Sequence, residues 1–125
     1  MNRIGTDGAP RPIGPYSQAV AAGELVFCAG QIGLDPATGR LVPGGLIAEA
    51  ARALENLAAV LTAAGLGLGD VVKTTVYLVD LSEGAVLNEI YGSYFVPPYP
   101  ARATVQVAAL PAGARVEVDA IAARR

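Results

Sequence analysis

A chain with no histidine and one cysteine has few ways to move a proton or attack a carbon, so its remaining reactive side chains stand out. A histidine base, a Ser–His–Asp triad, a His-containing metal site, a disulfide framework and a C-x-x-C pair are all excluded. Acid–base chemistry falls to Asp, Glu, Tyr, Lys, Arg, main-chain groups or water. Four places draw attention. In the stretch from Val116 to Ile121, Val116, Val118 and Ala120 share one strand face, while Glu117 and Asp119 share the other with Ile121. That second face is either simply solvated or carries chemistry. Arg102 stands between Pro100-Ala101 and an apolar strand, as a surface residue or as a cation facing a site. Tyr16 follows Gly14-Pro15 and either pins a loose arm onto the core or walls a pocket. Gly30-Gln31 follows an apolar strand and marks a bulge or a close main-chain approach.

The elements that must position these residues follow from periodicity. Residues 17–21 and 25–31 flank Ala22-Gly23-Glu24 and read as a β-hairpin. Asp35-Pro36-Ala37-Thr38-Gly39 is a turn by composition. Residues 46–64 form the clearest helix: Leu54, Leu57, Ala58 and Leu61 recur on one face, Glu49, Arg52, Asn56 and Thr62 on the other, and Gly65 is a stop. Residues 71–79 alternate with apolar side chains on both faces, as in a central strand. Ser82 is placed to cap a second helix running to about Phe95, with Val86, Ile90 and Tyr94 four apart. The run from Val96 to Pro100 then enforces extended chain. Residues 103–109 and 115–123 are two further strands around Leu110-Pro111-Ala112-Gly113-Ala114. The order β-β-α-β-α-β-β predicts one α+β domain over residues 1–125, a mixed sheet with two helices on one face.

Composition bounds the function classes. At 125 residues and 53% apolar, the chain can bury a core without staples and is too apolar for disorder. Mean hydropathy of +0.44 is high for a soluble monomer and leans towards a subunit interface. The net charge of −2, with Lys73 the only lysine, offers no surface for nucleic acid or anionic membrane. Residues 1–18 are polar and rich in Gly and Pro, unlike a signal peptide, and residues 57–69 are too short and glycine-rich to span a bilayer. A cytoplasmic protein is expected.

The segments Ile13-Gly14-Pro15-Tyr16-Ser17-Gln18-Ala19, Ala29-Gly30-Gln31-Ile32, Gly69-Asp70-Val71-Val72-Lys73-Thr74-Thr75-Val76, Pro100-Ala101-Arg102 and Val116-Glu117-Val118-Asp119-Ala120-Ile121-Ala122 occur in that order. From about Ile13 to Arg125 the chain resembles the Rid family of reactive-intermediate deaminases, also labelled endoribonuclease L-PSP, and in particular its RidA-type imine-deaminase branch. The resemblance implies a chorismate-mutase-like (Rid/YjgF) α+β fold assembled as a homotrimeric barrel, with three clefts between neighbouring subunits. It also implies cofactor-free hydrolysis of 2-imino acids such as 2-iminobutanoate and 2-iminopropanoate to 2-oxo acids and ammonia, with no metal.

On that resemblance Arg102, a planar fork, holds the substrate carboxylate through two hydrogen bonds, and Glu117 activates water and returns the proton to nitrogen. Tyr16 walls the pocket, the main chain of Gly30 meets the carboxylate region, and Asn88 matches a position often kept in the branch, where a plain helix-surface amide is the other reading. Thr104 stands where many members have cysteine, so no thiol nucleophile is implied; its main-chain carbonyl can still position the water. Ala29 replaces a serine of some members, Asp119 replaces a frequent glutamate, and the connection over residues 95–100 is shorter than in some. Cys28, inside an apolar strand, reads as a small buried hydrophobe. The competing function is a small-carboxylate binding or regulatory protein of the same fold without deaminase activity; such a binder needs Arg102 but not Glu117. An interaction protein is a third reading. A ribonuclease fits poorly with an acidic chain that lacks histidine.

Overall fold

The computed structural model describes residues 1–125. Its strands are β1 (Asn2–Ile4), β2 (Ala19–Ala22), β3 (Leu25–Gln31), β4 (Val71–Leu78), β5 (Ala101–Gln106) and β6 (Val116–Ala123), and its helices are α1 (Gly45–Ala63) and α2 (Gly84–Tyr94). They form one mixed six-stranded sheet of order β1-β2-β3-β6-β4-β5. Every pairing is antiparallel except β4 with β5, the two strands that α2 connects. The expected α+β architecture is present. No helix is long and apolar enough to cross a membrane.

Period-two alternation sorts β6 cleanly: Val116, Val118, Ala120 and Ala122 are buried, and Glu117, Asp119, Ile121 and Ala123 are half-buried. The buried set joins Val26, Val76 and Leu78 of the sheet to Leu54, Leu57 and Leu61 of α1 and Leu87 of α2 in one cluster. The other face of the sheet has no helix over it and leaves Leu25, Phe27 and Val105 more than a third exposed.

Several local readings are corrected. Strand β1 lies in the segment read as an irregular arm: three residues carry no periodicity, and β1 exists because it pairs with β2 at the sheet edge. The buried stripe of α2 is Leu87, Tyr91 and Phe95, not Val86, Ile90 and Tyr94; both sets are four apart, and the structure buries Leu87 beside two aromatic rings. Asp80, rather than Ser82, caps the turn before α2 by accepting from the Ser82 amide at 2.9 Å. Strand β5 begins at Ala101 and ends at Gln106, so Arg102 lies within the strand rather than before it. On α1, Glu49 and Asn56, which fall on the face opposite the leucine stripe, are buried. Asn56 donates to the carbonyls of Ile32 at 3.2 Å and Leu34 at 2.9 Å. Glu49 accepts from the Arg115 amide at 2.7 Å. At Gly33 a Cβ would lie 2.7 Å from the Glu49 Cα, so only glycine lets this loop pack against α1.

Candidate functional site

Glu117 sits on the helix-free face of β6, directly opposite Tyr77 of β4. On its other side the β3–β6 register breaks between Cys28 and Gln31, and the Ala29 amide turns away to the Gln18 carbonyl at 2.9 Å. Gly30 occupies this bulge, and a Cβ there would come within 2.7 Å of Glu117 Cδ. Bulge and close approach are therefore one feature: the strand opens so that a carboxylate can lie against bare main chain. Burial raises the proton affinity of Glu117 above the ordinary carboxylate range, and the negative charge of Asp119 raises it further. Asp119 is itself held by the Tyr77 hydroxyl, which donates to it at 2.9 Å.

A cavity of about 360 Å³ joins Glu117 to Tyr16, Gly30, Ile32 and Arg11. Tyr16 does not pin the arm; it is 50% exposed, and its hydroxyl accepts from the Ile13 amide at 3.4 Å. Gln18 does the pinning. It is buried, accepts from the Thr6 amide at 2.7 Å and donates to the Pro10 carbonyl at 2.8 Å. The arm thus arrives with Tyr16 facing the cavity.

Arg102 belongs to a different place. On β5 it lies opposite Thr74, whose side chain is fully buried beneath α2. Its guanidinium donates to Asn88 Oδ1 at 2.8 Å and stands over the Tyr91 ring, 4.8 Å from the centroid. Arg102, Asn88, Tyr91 and Tyr99 line a cavity of about 340 Å³. Thr104, two residues along β5 and opposite Val76, shares this face of the sheet without lining that cavity. A larger apolar cavity of about 500 Å³, between residues 94–100 and Val72, holds no carboxylate.

The structure therefore brings together Tyr16, Gly30 and Glu117 on one side of the sheet, and Arg102 and Asn88 on the other. Thr74 and its opposite number Arg102 face the helices, whereas Glu117 and its opposite number Tyr77 face away. Within one chain Arg102 and Glu117 cannot touch the same small molecule. Cys28 is buried and its thiol is pushed up to about 11, first by burial, then by Asp119, so it is inert as a nucleophile.

Several residues around the two halves escaped the sequence reading. Tyr91 falls three residues after Asn88, which puts both on one helix face. Gln18 is a polar residue beside apolar Ala19 and Val20, and long-range bonding is its way of being buried there. Arg11 and Tyr99 carried no signal beyond their neighbours in the chain.

The sequence model of the endoribonuclease L-PSP family matches residues 6–124. A mouse protein named 2-iminobutanoate/2-iminopropanoate deaminase is 55% identical over 119 residues, covering 95% of this chain and 88% of that one. RidA from an Antarctic Psychrobacter superposes with a TM-score of 0.95 at 50% identity, covering 98% of this chain and 99% of that one. Escherichia coli TdcF, solved with bound serine, gives 0.94 at 42% identity, covering 100% of both chains.

Proposed function

The chain belongs to the endoribonuclease L-PSP family, and from that premise we propose that it hydrolyses 2-imino acids such as 2-iminobutanoate and 2-iminopropanoate to 2-oxo acids and ammonia. The observation that carries the reading is Glu117: a half-buried carboxylate of raised proton affinity, laid against the bare main chain of Gly30 in a cavity large enough for a small acid and a water. A carboxylate binder has no use for that group. A carboxylate whose proton affinity is raised is a stronger base, which is what water activation asks for. The name borne by the mouse relative agrees with it.

Arg102 holds the substrate carboxylate, and because the imine carbon is bonded to that carboxyl carbon, fixing one places the other. The substrate imine enters protonated on nitrogen; Glu117 takes a proton from water as the water oxygen bonds to the imine carbon and the C=N electron pair moves to nitrogen. The carbinolamine nitrogen then receives the proton from Glu117. The C–N bond breaks as C=O forms, and the hydroxyl proton ends on ammonia as ammonium. Tyr16 walls the pocket, Asn88 acts through its bond to Arg102, and the Thr104 main chain helps to seat the water.

Since the two halves lie on opposite faces of one sheet, the working cleft takes Arg102 from one copy and Glu117 from the next. The uncovered sheet face, with Leu25 and Phe27, and the exposed edge of β5 are the surfaces a neighbour would cover. We take the assembly to be a homotrimer, in the cytoplasm, with neither nucleic acid nor membrane as partner. The test is a coupled assay. Threonine dehydratase generates 2-iminobutanoate, semicarbazide competes for it, and added protein should speed 2-oxobutanoate formation at the expense of the semicarbazone. Unchanged partitioning with tight 2-oxo acid binding would favour the carboxylate-binding alternative.

A further inference from the structure

Arg102 is a long side chain on an exposed edge strand, the setting in which a guanidinium ordinarily samples many rotamers. Here it is held on two sides. Asn88 accepts one of its N–H groups at 2.8 Å, and the Tyr91 ring lies beneath it, 4.8 Å from the guanidinium carbon. The ring in turn is fixed. Its hydroxyl is 2.8 Å from Thr74 Oγ1, both groups are buried, and Phe95 stacks on it with centroids 4.5 Å apart. Thr74 sits directly across the ladder from Arg102, so the β4–β5 register itself aligns ring and fork.

We propose that Tyr91 is a positioning residue for Arg102: its ring, locked by Thr74, fixes the guanidinium plane so that the N–H edge left free by Asn88 presents two parallel donors to a substrate carboxylate. This rests on the reading of Arg102 as the carboxylate clamp. A guanidinium has five N–H donors in a rigid fork. With one face on the ring and one donor on Asn88, a contiguous edge remains for bidentate contact. Ordering the side chain during folding removes that cost from substrate binding.

The test compares wild type, Tyr91→Leu, Tyr91→Phe, Arg102→Ala and the Tyr91→Leu/Arg102→Ala double variant, each in its assembled state. 2-Oxobutanoate affinity is read by calorimetry and kcat and KM by the imine assay. Loss of a cation–π platform should weaken 2-oxobutanoate binding by roughly 3- to 30-fold in Tyr91→Leu. KM should rise more than kcat falls. Tyr91→Phe keeps the platform and should restore most of the lost affinity, although it leaves Thr74 without its partner and lowers the melting temperature. The double variant should bind no more weakly than Arg102→Ala alone, because Tyr91 acts only through Arg102. Wild-type affinity in Tyr91→Leu, or losses that simply add in the double variant, would overturn the proposal. Should Tyr91→Leu fail to fold, the Arg102 Nε–H resonance of the wild type, assigned by its absence in Arg102→Ala, decides. It should be ordered and ring-current shifted, and a mobile, random-coil signal overturns the assignment. A wild type that does not deaminate would remove the proposed function, while the resonance would still report on Tyr91.

Discussion

Mixing two inactive variants should restore activity if the cleft is shared. Arg102→Ala removes the clamp and Glu117→Gln removes the base, the latter lowering turnover by about 10²–10⁴-fold in its own homo-oligomer. The structure sets the geometry. β5 and β6 are separated by β4, so the two main chains lie about 10 Å apart, and their side chains leave opposite faces. The reacting carbon is bonded to the carboxyl carbon that Arg102 would hold, about 1.5 Å away. Hydrogen-bond reaches of about 3 Å on either side cannot bridge the sheet. Each functional cleft must then pair an intact Arg102 from a Glu117→Gln chain with an intact Glu117 from an Arg102→Ala chain. With equal amounts and random assortment in a closed ring, that pairing arises at about one quarter of the clefts. Unfractionated co-refolded or co-expressed mixtures should recover about 25% of wild-type kcat against parents near or below about 1%, and trimers holding both chains, isolated by distinct tags, should recover about 33% because one cleft in three is complete. Activity equal to the average of the parents, in mixtures shown by mass spectrometry to contain both chains, would refute the shared cleft. It would leave this chain without an account of how Arg102 and Glu117 cooperate.

Three further outcomes are expected. Glu117 must be ionised to accept a proton, and its raised proton affinity places the acid limb of kcat/KM above the ordinary carboxylate range. Asp119→Asn removes the nearby negative charge, favours the ionised form, and should move that limb to lower pH; an unmoved limb in a pH–rate profile counts against Glu117 as the base. Gly30→Ala puts a Cβ where the Glu117 carboxylate lies. Displacement of about 1 Å should cost about 100-fold in kcat with assembly intact by light scattering; wild-type turnover would show that this contact is not part of the site. Asn56→Leu strips the Ile32 and Leu34 carbonyls of their buried donor. It should destabilise the protein by about 1–3 kcal/mol in denaturant titration, and an unchanged midpoint would mean that the loop finds other partners.

The fold was legible wherever one face of an element is uniformly apolar. β6 alternates without exception, and the apolar stripe of α1 dominates its nineteen residues, so both were readable. α2 was misread by one position because two stripes with the same spacing compete, and only packing against the sheet chooses Leu87, Tyr91 and Phe95. The burial of Asn56 and Glu49 on the polar side of α1 was not legible, because polarity alone cannot show that a loop 22 or 24 residues before Asn56, or an amide 66 residues after Glu49, needs a buried partner. β1 owes its existence to pairing alone, which local sequence does not carry.

The site residues were legible as a set but not as a geometry. A carboxylate interrupting an apolar strand pointed to Glu117 and a lone cation at a strand start to Arg102, yet neither periodicity nor spacing says that a strand inserted between theirs will put them on opposite faces. That separation has a chemical logic. A guanidinium keeps its charge in water or out of it, so a carboxylate clamp at Arg102 could stand on an exposed edge strand, where the Tyr91 ring and Asn88 contact it. A carboxylate becomes a better base when it is partly desolvated or lies near a like charge, and Glu117, on an interior strand against Gly30 and near Asp119, has both. Placing both on one face of one chain would set a permanent cation beside the base and lower the proton affinity that burial confers. In the proposed cleft the charge of Arg102 would reach Glu117 only across a neighbouring copy, with the substrate carboxylate between them to neutralise it.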